Sequence, residues 1–200
     1  EGAPKLDLAV KTRLGWNEID MSWIQFLLEQ NLDVLTVHLR TRKEMSKVPA
    51  HWELMSQIRQ MRDEIAPNTI LLGNGDIDTP QKAVEYKSRF GVDGVMIGRA
   101  SIGYPWIFRE IKHFMATGEH LAPPTLEERV NAARQHLKTS IDWKGDVLGV
   151  LETRRHYGSY FKGFRDIKPY RMRLVTSMIP EELFSVLDEI EVKYKDYPIQ

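Results

Sequence analysis

From the N-terminus to residue 116, short continuous apolar runs alternate with stretches of helical period. Residues 6–11 read as a strand, and residues 21–30 as a helix with Trp23, Ile24, Leu27 and Leu28 on one face. Residues 34–38 form the next apolar run. Residues 52–65 then carry Leu54, Met55, Ile58, Met61 and Ile65 at helical spacing, stopped by Pro67. Residues 69–72 begin a third strand, 80–90 predict a helix, 94–97 a fourth strand and 106–116 another helix. Strands that are continuously apolar are those buried on both faces. Four such βα units in succession therefore predict a parallel sheet covered by helices.

Glycine and proline punctuate residues 118–124, and the pattern then changes. Thr125 followed by Glu127 and Glu128 reads as an N-cap with an acidic first turn, opening a helix to residue 143. Further helices are predicted over residues 147–161, 170–178 and 180–194, the last opened by Pro180-Glu181-Glu182. The expected organisation is a βα region over residues 1–118 and an all-helical domain over 125–196. Four βα units are half of a (β/α)8 TIM barrel, and a sheet that starts at residue 6 points to further sequence ahead of it. Open edges on such a half would favour self-association. A self-contained flavodoxin-like sheet fits the same pattern.

The chain has no cysteine, which excludes disulfides, thiolate metal sites and a cysteine nucleophile within these residues. No apolar run reaches the roughly 20 residues of a membrane span, and Glu1-Gly2-Ala3-Pro4-Lys5 lacks the order of a signal peptide, so a cytoplasmic protein without a membrane or metal partner is expected. Charge balances overall, with 28 basic and 28 acidic residues, but not locally. Arg154, Arg155, Lys162, Arg165, Lys168, Arg171 and Arg173 lie between residues 147 and 175 against Glu152 and Asp166 alone. That is a directional electrostatic feature inside a neutral chain.

Polar residues collect where all four strands end: Lys11 and Arg13, His38 and Arg40, Asn74 and Asp76, Gly98 and Arg99. In a (β/α) barrel that end is the face on which sites are built. Gly73-Asn74-Gly75-Asp76-Ile77 and Ile97-Gly98-Arg99-Ala100 follow the third and fourth strands, where glycine lets backbone approach a phosphate and Arg99 adds a charge-assisted contact. Lys11 is placed to stabilise negative charge on a bound ring, and His38 to donate to a ligand. Arg40, Arg42 and Lys43 form a basic loop. Arg154, Arg155, Lys162 and Arg165 are interleaved with Tyr157, Tyr160, Phe161 and Phe164, the mixture that holds nucleic-acid backbones and stacks unpaired bases.

Residues 10–16 (VKTRLGW), 36–42 (TVHLRTR), 73–77 (GNGDI) and 96–100 (MIGRA), the last continuing to Gly103-Tyr104-Pro105-Trp106-Ile107-Phe108, together resemble the second half of a bacterial-type tRNA-dihydrouridine synthase. The similarity spans essentially the whole chain, because this family follows its barrel with a small helical domain that contains a segment like Arg154-Arg155-His156. The resemblance implies a C-terminal half barrel, strands five to eight, followed by a helical tRNA-binding domain. It implies FMN with Lys11 at the flavin ring, His38 also contacting the cofactor, and Asn74, Gly75, Asp76, Gly98 and Arg99 at the ribityl-phosphate end. NADPH would be the reductant and tRNA the substrate. The implied reaction reduces the C5–C6 double bond of selected uridines, hydride passing from flavin N5 to C6 and a cysteine protonating C5. The family's cysteine stands in an Asn-x-Gly-Cys-Pro motif in the other half of the barrel, so these residues alone are expected to be inactive. Leu39 also stands where the family has glycine ahead of Arg40-Thr41-Arg42. Two other readings remain open at this point: an FMN barrel of the dihydroorotate dehydrogenase kind acting on a small molecule, and a non-catalytic tRNA-binding remnant.

Overall fold

A computed structural model describes residues 7–197. They fold as two compact units, one comprising residues 7–100 with 111–119 and the other residues 101–110 with 120–197. The first holds a four-stranded parallel sheet: β1 Ala9–Arg13, β2 Val34–His38, β3 Ile70–Asn74 and β4 Gly94–Met96. Between the strands run α1 Met21–Leu28, α2 Met55–Ile65 and α3 Pro80–Phe90, with a single 3-10 turn, Trp52–Leu54, leading into α2. After β4 come a 3-10 turn, Arg99–Ser101, and α4 Ile107–Thr117. The expected first strand began at Leu6, which lies outside the described residues.

The strand order is β1-β2-β3-β4. A flavodoxin-like sheet reverses its order at a switch point, whereas strictly consecutive parallel strands form an arc of a (β/α) barrel. The α/β class is as expected, the consecutive order fits a partial barrel, and the flavodoxin alternative is removed by it. Register aligns Arg13, His38, Asn74 and Met96 across the four strands, at one level and on one face. The opposite face carries Leu35, Val37 and Leu71, all fully buried, together with buried Gly73. Burying each such aliphatic side chain stabilises the unit by about 1.5–3 kcal/mol. Gly73 is small because Trp52 and Met55 lie against it, and Trp52 in turn donates its indole N–H to the Gly75 carbonyl at 2.8 Å.

The second unit is helical: α5 Leu126–Tyr160, α6 Lys168–Thr176 and α7 Pro180–Lys193. Thr125 and Glu128 close a capping box at the start of α5. Gly145, at φ 76° and ψ 170°, breaks α5 into two segments, matching the separate helices expected up to residue 143 and from residue 147. The second segment folds back on the first, since a Cβ on Gly149 would meet the backbone of Ile141 at 2.7 Å. Val130, Ala133, Leu137, Val150, Leu174, Leu183, Val186, Leu187 and Ile190 are wholly buried between these helices. Residues 101–110, read from sequence as part of the 1–118 region, pack in this unit, where Trp106 meets Tyr160 edge to face. Among the described residues no helix is long and apolar enough to cross a membrane.

Candidate functional site

The C-terminal strand ends open on a cavity of about 750 Å³. Its lining brings together Arg13, His38, Arg40, Asn74, Gly75, Asp76, Gly98 and Arg99, with Ser46, Ile77, Asp78, Lys82, Met96 and Ala100 between them. Six of the seven residues expected to hold a cofactor therefore share one cavity. The seventh, Lys11, is two residues before Arg13 on the same strand face and lines an adjoining cavity of about 560 Å³ with Thr12, Arg13, Gly15, Trp16, Asp20, Trp23 and Arg42. Arg13 borders both.

Asp76 organises the first cavity. It sits at φ 54°, a left-handed conformation that Asp tolerates better than most residues, in the turn after β3. Its carboxylate accepts from Arg40 Nη2 at 2.7 and 2.6 Å, from Arg99 Nη2 at 2.9 Å and from the Ala50 N–H at 2.9 Å. Burial alone would raise its pKa, but the hydrogen bonds from Arg40 and Ala50 and the two guanidinium charges hold it below the usual carboxylate range. Arg40 is only 2% exposed and also donates Nε to the Val48 carbonyl at 2.7 Å. Expected among the RNA-contacting cations, Arg40 is instead buried beneath the cavity, its fork already engaged. Asp76, expected at the phosphate end of a cofactor, is the counter-ion of two arginines.

His38 lies beside this pair. Burial, and then the charges of Arg13, Lys11 and Arg40, push its pKa down to about 4, so the imidazole is neutral at pH 7. Arg40 Nη1 stands 3.4 Å from His38 Nε2. A guanidinium can only donate, so Nε2 is the acceptor and the ring proton sits on Nδ1. Asn74 donates one amide N–H to the Met96 carbonyl at 2.7 Å, which leaves its carbonyl oxygen and its second N–H as groups it can offer a ligand. Lys11 is held below its usual pKa by burial and by Arg13.

Lys82, Asp78 and Ser46 also line the cavity and were not anticipated. Lys82 belongs to the first turn of α3, whose cap Thr79 accepts from the Lys82 N–H. A helix that starts directly after a strand-end loop places its first turn at the same face, and that was the available signal. Lys82 pairs with Asp78 at 2.8 Å.

The remaining candidate cations divide by partner. Arg42 and Lys43 are exposed, and Arg42 lies over the Trp16 ring at 5.8 Å. In the helical unit Arg155, Lys162 and Arg165 are exposed. Arg154 is not available in the same way: its Nη2 reaches the Thr176 and Ser177 carbonyls at 3.2 and 3.0 Å and caps the end of α6. Arg173 is bound to Glu189 at 2.6 and 3.0 Å. His136 and His156 pack edge to face at 4.5 Å, with His136 Nδ1 3.2 Å from the Tyr160 hydroxyl. Burial, then His136 and Arg155, push His156 down to about 4.

Consecutive parallel strands with a cationic, glycine-bordered cavity at their C-terminal ends are the arrangement of a partial (β/α) barrel. The family model for dihydrouridine synthase (Dus) matches residues 2–195, and the chain belongs to that family. It is 39% identical over 191 residues to a probable tRNA-dihydrouridine synthase of Staphylococcus aureus (strain MRSA252), covering 94% of this chain and 56% of the relative. It is 36% identical over 194 residues to probable tRNA-dihydrouridine synthase 2 of Bacillus subtilis (strain 168), covering 96% and 57%. The chain thus spans about half the length of the curated relatives it matches.

Proposed function

We propose that these residues are the cofactor- and RNA-holding portion of an FMN-dependent, NADPH-reduced tRNA-dihydrouridine synthase acting in the cytoplasm. The observation that carries this reading is the convergence of His38, Asn74, Gly98 and Arg99 on one cavity at the strand ends of a dihydrouridine synthase family member. The donor set fits a phosphorylated planar ring. Arg99, whose side chain is 65% exposed, and Lys82 supply mobile positive charge at the mouth. Gly98 has open space where a Cβ would project, so a phosphate can approach its backbone. Deeper, His38 offers a neutral Nδ1–H donor and Asn74 a carbonyl acceptor, with Met96 as apolar floor.

When bound, FMN would supply the hydride-transfer chemistry. The residues of this chain then bind and orient. Arg99 turns from Asp76 to the phosphate, and Arg40 stays clamped and keeps His38 in one tautomer. Lys11 and Arg13, neighbours on one face of β1, would supply positive charge to the bound cofactor. The 200 residues contain no cysteine, so the proton donor that the family resemblance implies has to come from elsewhere in the working enzyme. Arg42, Lys43, Arg155, Lys162 and Arg165 are the exposed cations assigned to the tRNA backbone. Arg40 and Arg154 serve that role only by holding structure.

The test is to reconstitute the purified chain with FMN, read its visible absorbance after gel filtration, and titrate unmodified tRNA in a gel shift at two salt concentrations. Retained flavin with salt-sensitive tRNA binding is expected. Flavin without tRNA affinity would move the reading to a small-molecule flavoenzyme, and the absence of both would overturn it.

A further inference from the structure

A cation is buried in the helical unit without an acid in contact. Arg129, in the first turn of α5, is 6% exposed. Its Nε donates to the Pro124 carbonyl at 3.1 Å, and its Nη1 to the Tyr160 and Lys162 carbonyls at 3.4 and 3.3 Å. Its guanidinium also lies 5.6 Å from the centre of the Phe164 ring. Glu110 and Glu128 act on it only from beyond ion-pair distance. Burying a cation is costly unless its donors are engaged, so what these donors hold is informative. All three acceptors are main-chain carbonyls, and they come from three points of the chain: the loop before α5, the last residue of α5 and the segment between α5 and α6.

That last segment is secured from outside itself. Gly163 and Asp166 stand at positive φ, 93° and 59°. The Tyr194 hydroxyl donates to the Arg165 carbonyl at 2.7 Å, and the Tyr197 hydroxyl accepts from the Arg165 N–H at 3.1 Å. Phe161, Phe164 and Ile167 are buried, with Phe164 against the Tyr194 and Tyr197 rings at 5.2 and 5.5 Å. Burial at every third residue leaves the positions that follow, Lys162, Arg165 and Lys168, exposed. Lys168 moreover opens α6, the end of a helix at which a cation is disfavoured. Asp166 meets Arg165 at 3.6 Å with the two side chains 78% and 84% exposed, a pair worth little in water. The backbone of the segment is thus fixed while its three cationic heads face solvent. A polyanion binding there meets a loop that folding has already ordered.

We infer that Arg129 is a positioning residue for RNA binding. It stays buried, and by fixing the Tyr160 and Lys162 carbonyls it presents Lys162, Arg165 and Lys168 to phosphates in one arrangement, while Tyr194 and Tyr197 hold the segment at Arg165. The inference rests on the RNA reading proposed above; it adds Lys168 to the contacting cations and names the residues that set their placement.

The experiment is a double-mutant cycle on the affinity of the full chain for an unmodified tRNA transcript, read by gel shift. Arg129→Met keeps a buried stem and removes every donor. It should weaken binding about three- to tenfold, the cost of immobilising one or two long side chains at the moment of binding. In a Lys162→Ala/Arg165→Ala background the same substitution should cost less than about twofold, because most of the groups it places are gone. A merely structural role would give equal costs in both backgrounds, and that result overturns the inference. So does unchanged affinity of the single Arg129→Met variant. Thermal melting checks folding; should Arg129→Met not fold, Tyr194→Phe, which removes only the hydroxyl on the Arg165 carbonyl, takes its place in the cycle under the same criteria. Absence of salt-sensitive tRNA binding by the unaltered chain would strike the RNA reading and this inference together, whereas binding indifferent to these substitutions strikes the inference alone.

Discussion

Removing the Asp76 carboxylate isolates the most consequential contact in the first cavity. In Asp76→Ala, Arg40 loses two charge-assisted hydrogen bonds of 2.6 and 2.7 Å and keeps only the Val48 carbonyl and the long approach to His38. Its side chain is 3% exposed, so the charge stays buried without its counter-ion. Breaking a fully buried pair in this way costs ~3–5 kcal/mol. The Asp76 side chain is 31% exposed, and water can enter the space it leaves, which lowers the expectation to about 2–4 kcal/mol. Urea unfolding followed by tryptophan fluorescence measures it. The double variant Arg40→Met/Asp76→Ala should recover a good part of the loss, because it removes the stranded charge as well as its partner. A single-variant cost below about 0.5 kcal/mol, or a double variant no more stable than the single one, would refute the clamp.

Three further outcomes follow from the same geometry. His38 has a folded pKa depressed to about 4 from an ordinary 6.5, so between those values the unfolded chain binds a proton that the folded chain refuses. Stability therefore falls as pH drops through this window, and His38→Asn should remove one proton's worth of slope, checked by urea midpoints at a series of pH values. Arg99→Ala should weaken FMN retention about tenfold or more, read by flavin release on dialysis, because a charged hydrogen bond to phosphate contributes ~1.5–3 kcal/mol. Gly149→Val should cost the helical unit at least ~2 kcal/mol in thermal or urea unfolding, more than Gly158→Val, since its side chain has to part the two segments of α5 whereas Gly158 has open space around it on helical backbone.

Two elements were legible in the sequence to the residue: β2, an apolar run from Val34 to His38, and α3, from Pro80 at its first turn to Phe90 ahead of the left-handed Gly91. The strand ends were less so. β1 was read to stop at Lys11 and β3 was assigned only through Leu72, whereas the ladder carries on to Arg13 and Asn74. The cause is functional: the polar side chains that line the cavity sit on the strands themselves and break the apolar run that marks a strand. The site was legible as a set of strand-end residues because topology alone gathers them. What each does was not. A cation reads the same in sequence whether free or engaged, and the partner of Arg40 lies 36 residues on at Asp76, while Arg154 reaches carbonyls 22 and 23 residues away. Trp23 was read on the helix face of Ile24, Leu27 and Leu28, yet it is 40% exposed while those three are buried.

Asp76 has one more consequence, in ionic strength. A resident carboxylate offsets part of the charge of Arg40 and Arg99, and Asp78 offsets that of Lys82, so fewer mobile counter-ions gather at the Asp76 cavity than its cations alone would attract. On the proposed reading, a phosphate arriving there would displace part of a fixed anion's contacts and release less salt, so its affinity should vary less with added electrolyte than that of a polyanion on fully exposed cations. Among the described residues the exposed Arg42, Arg155 and Lys162 have no carboxylate partner in a hydrogen bond or ion pair, and a polyanion held there should leave steeply as salt rises. Raising the salt concentration should therefore separate the two proposed ligands, releasing RNA before the small phosphorylated one.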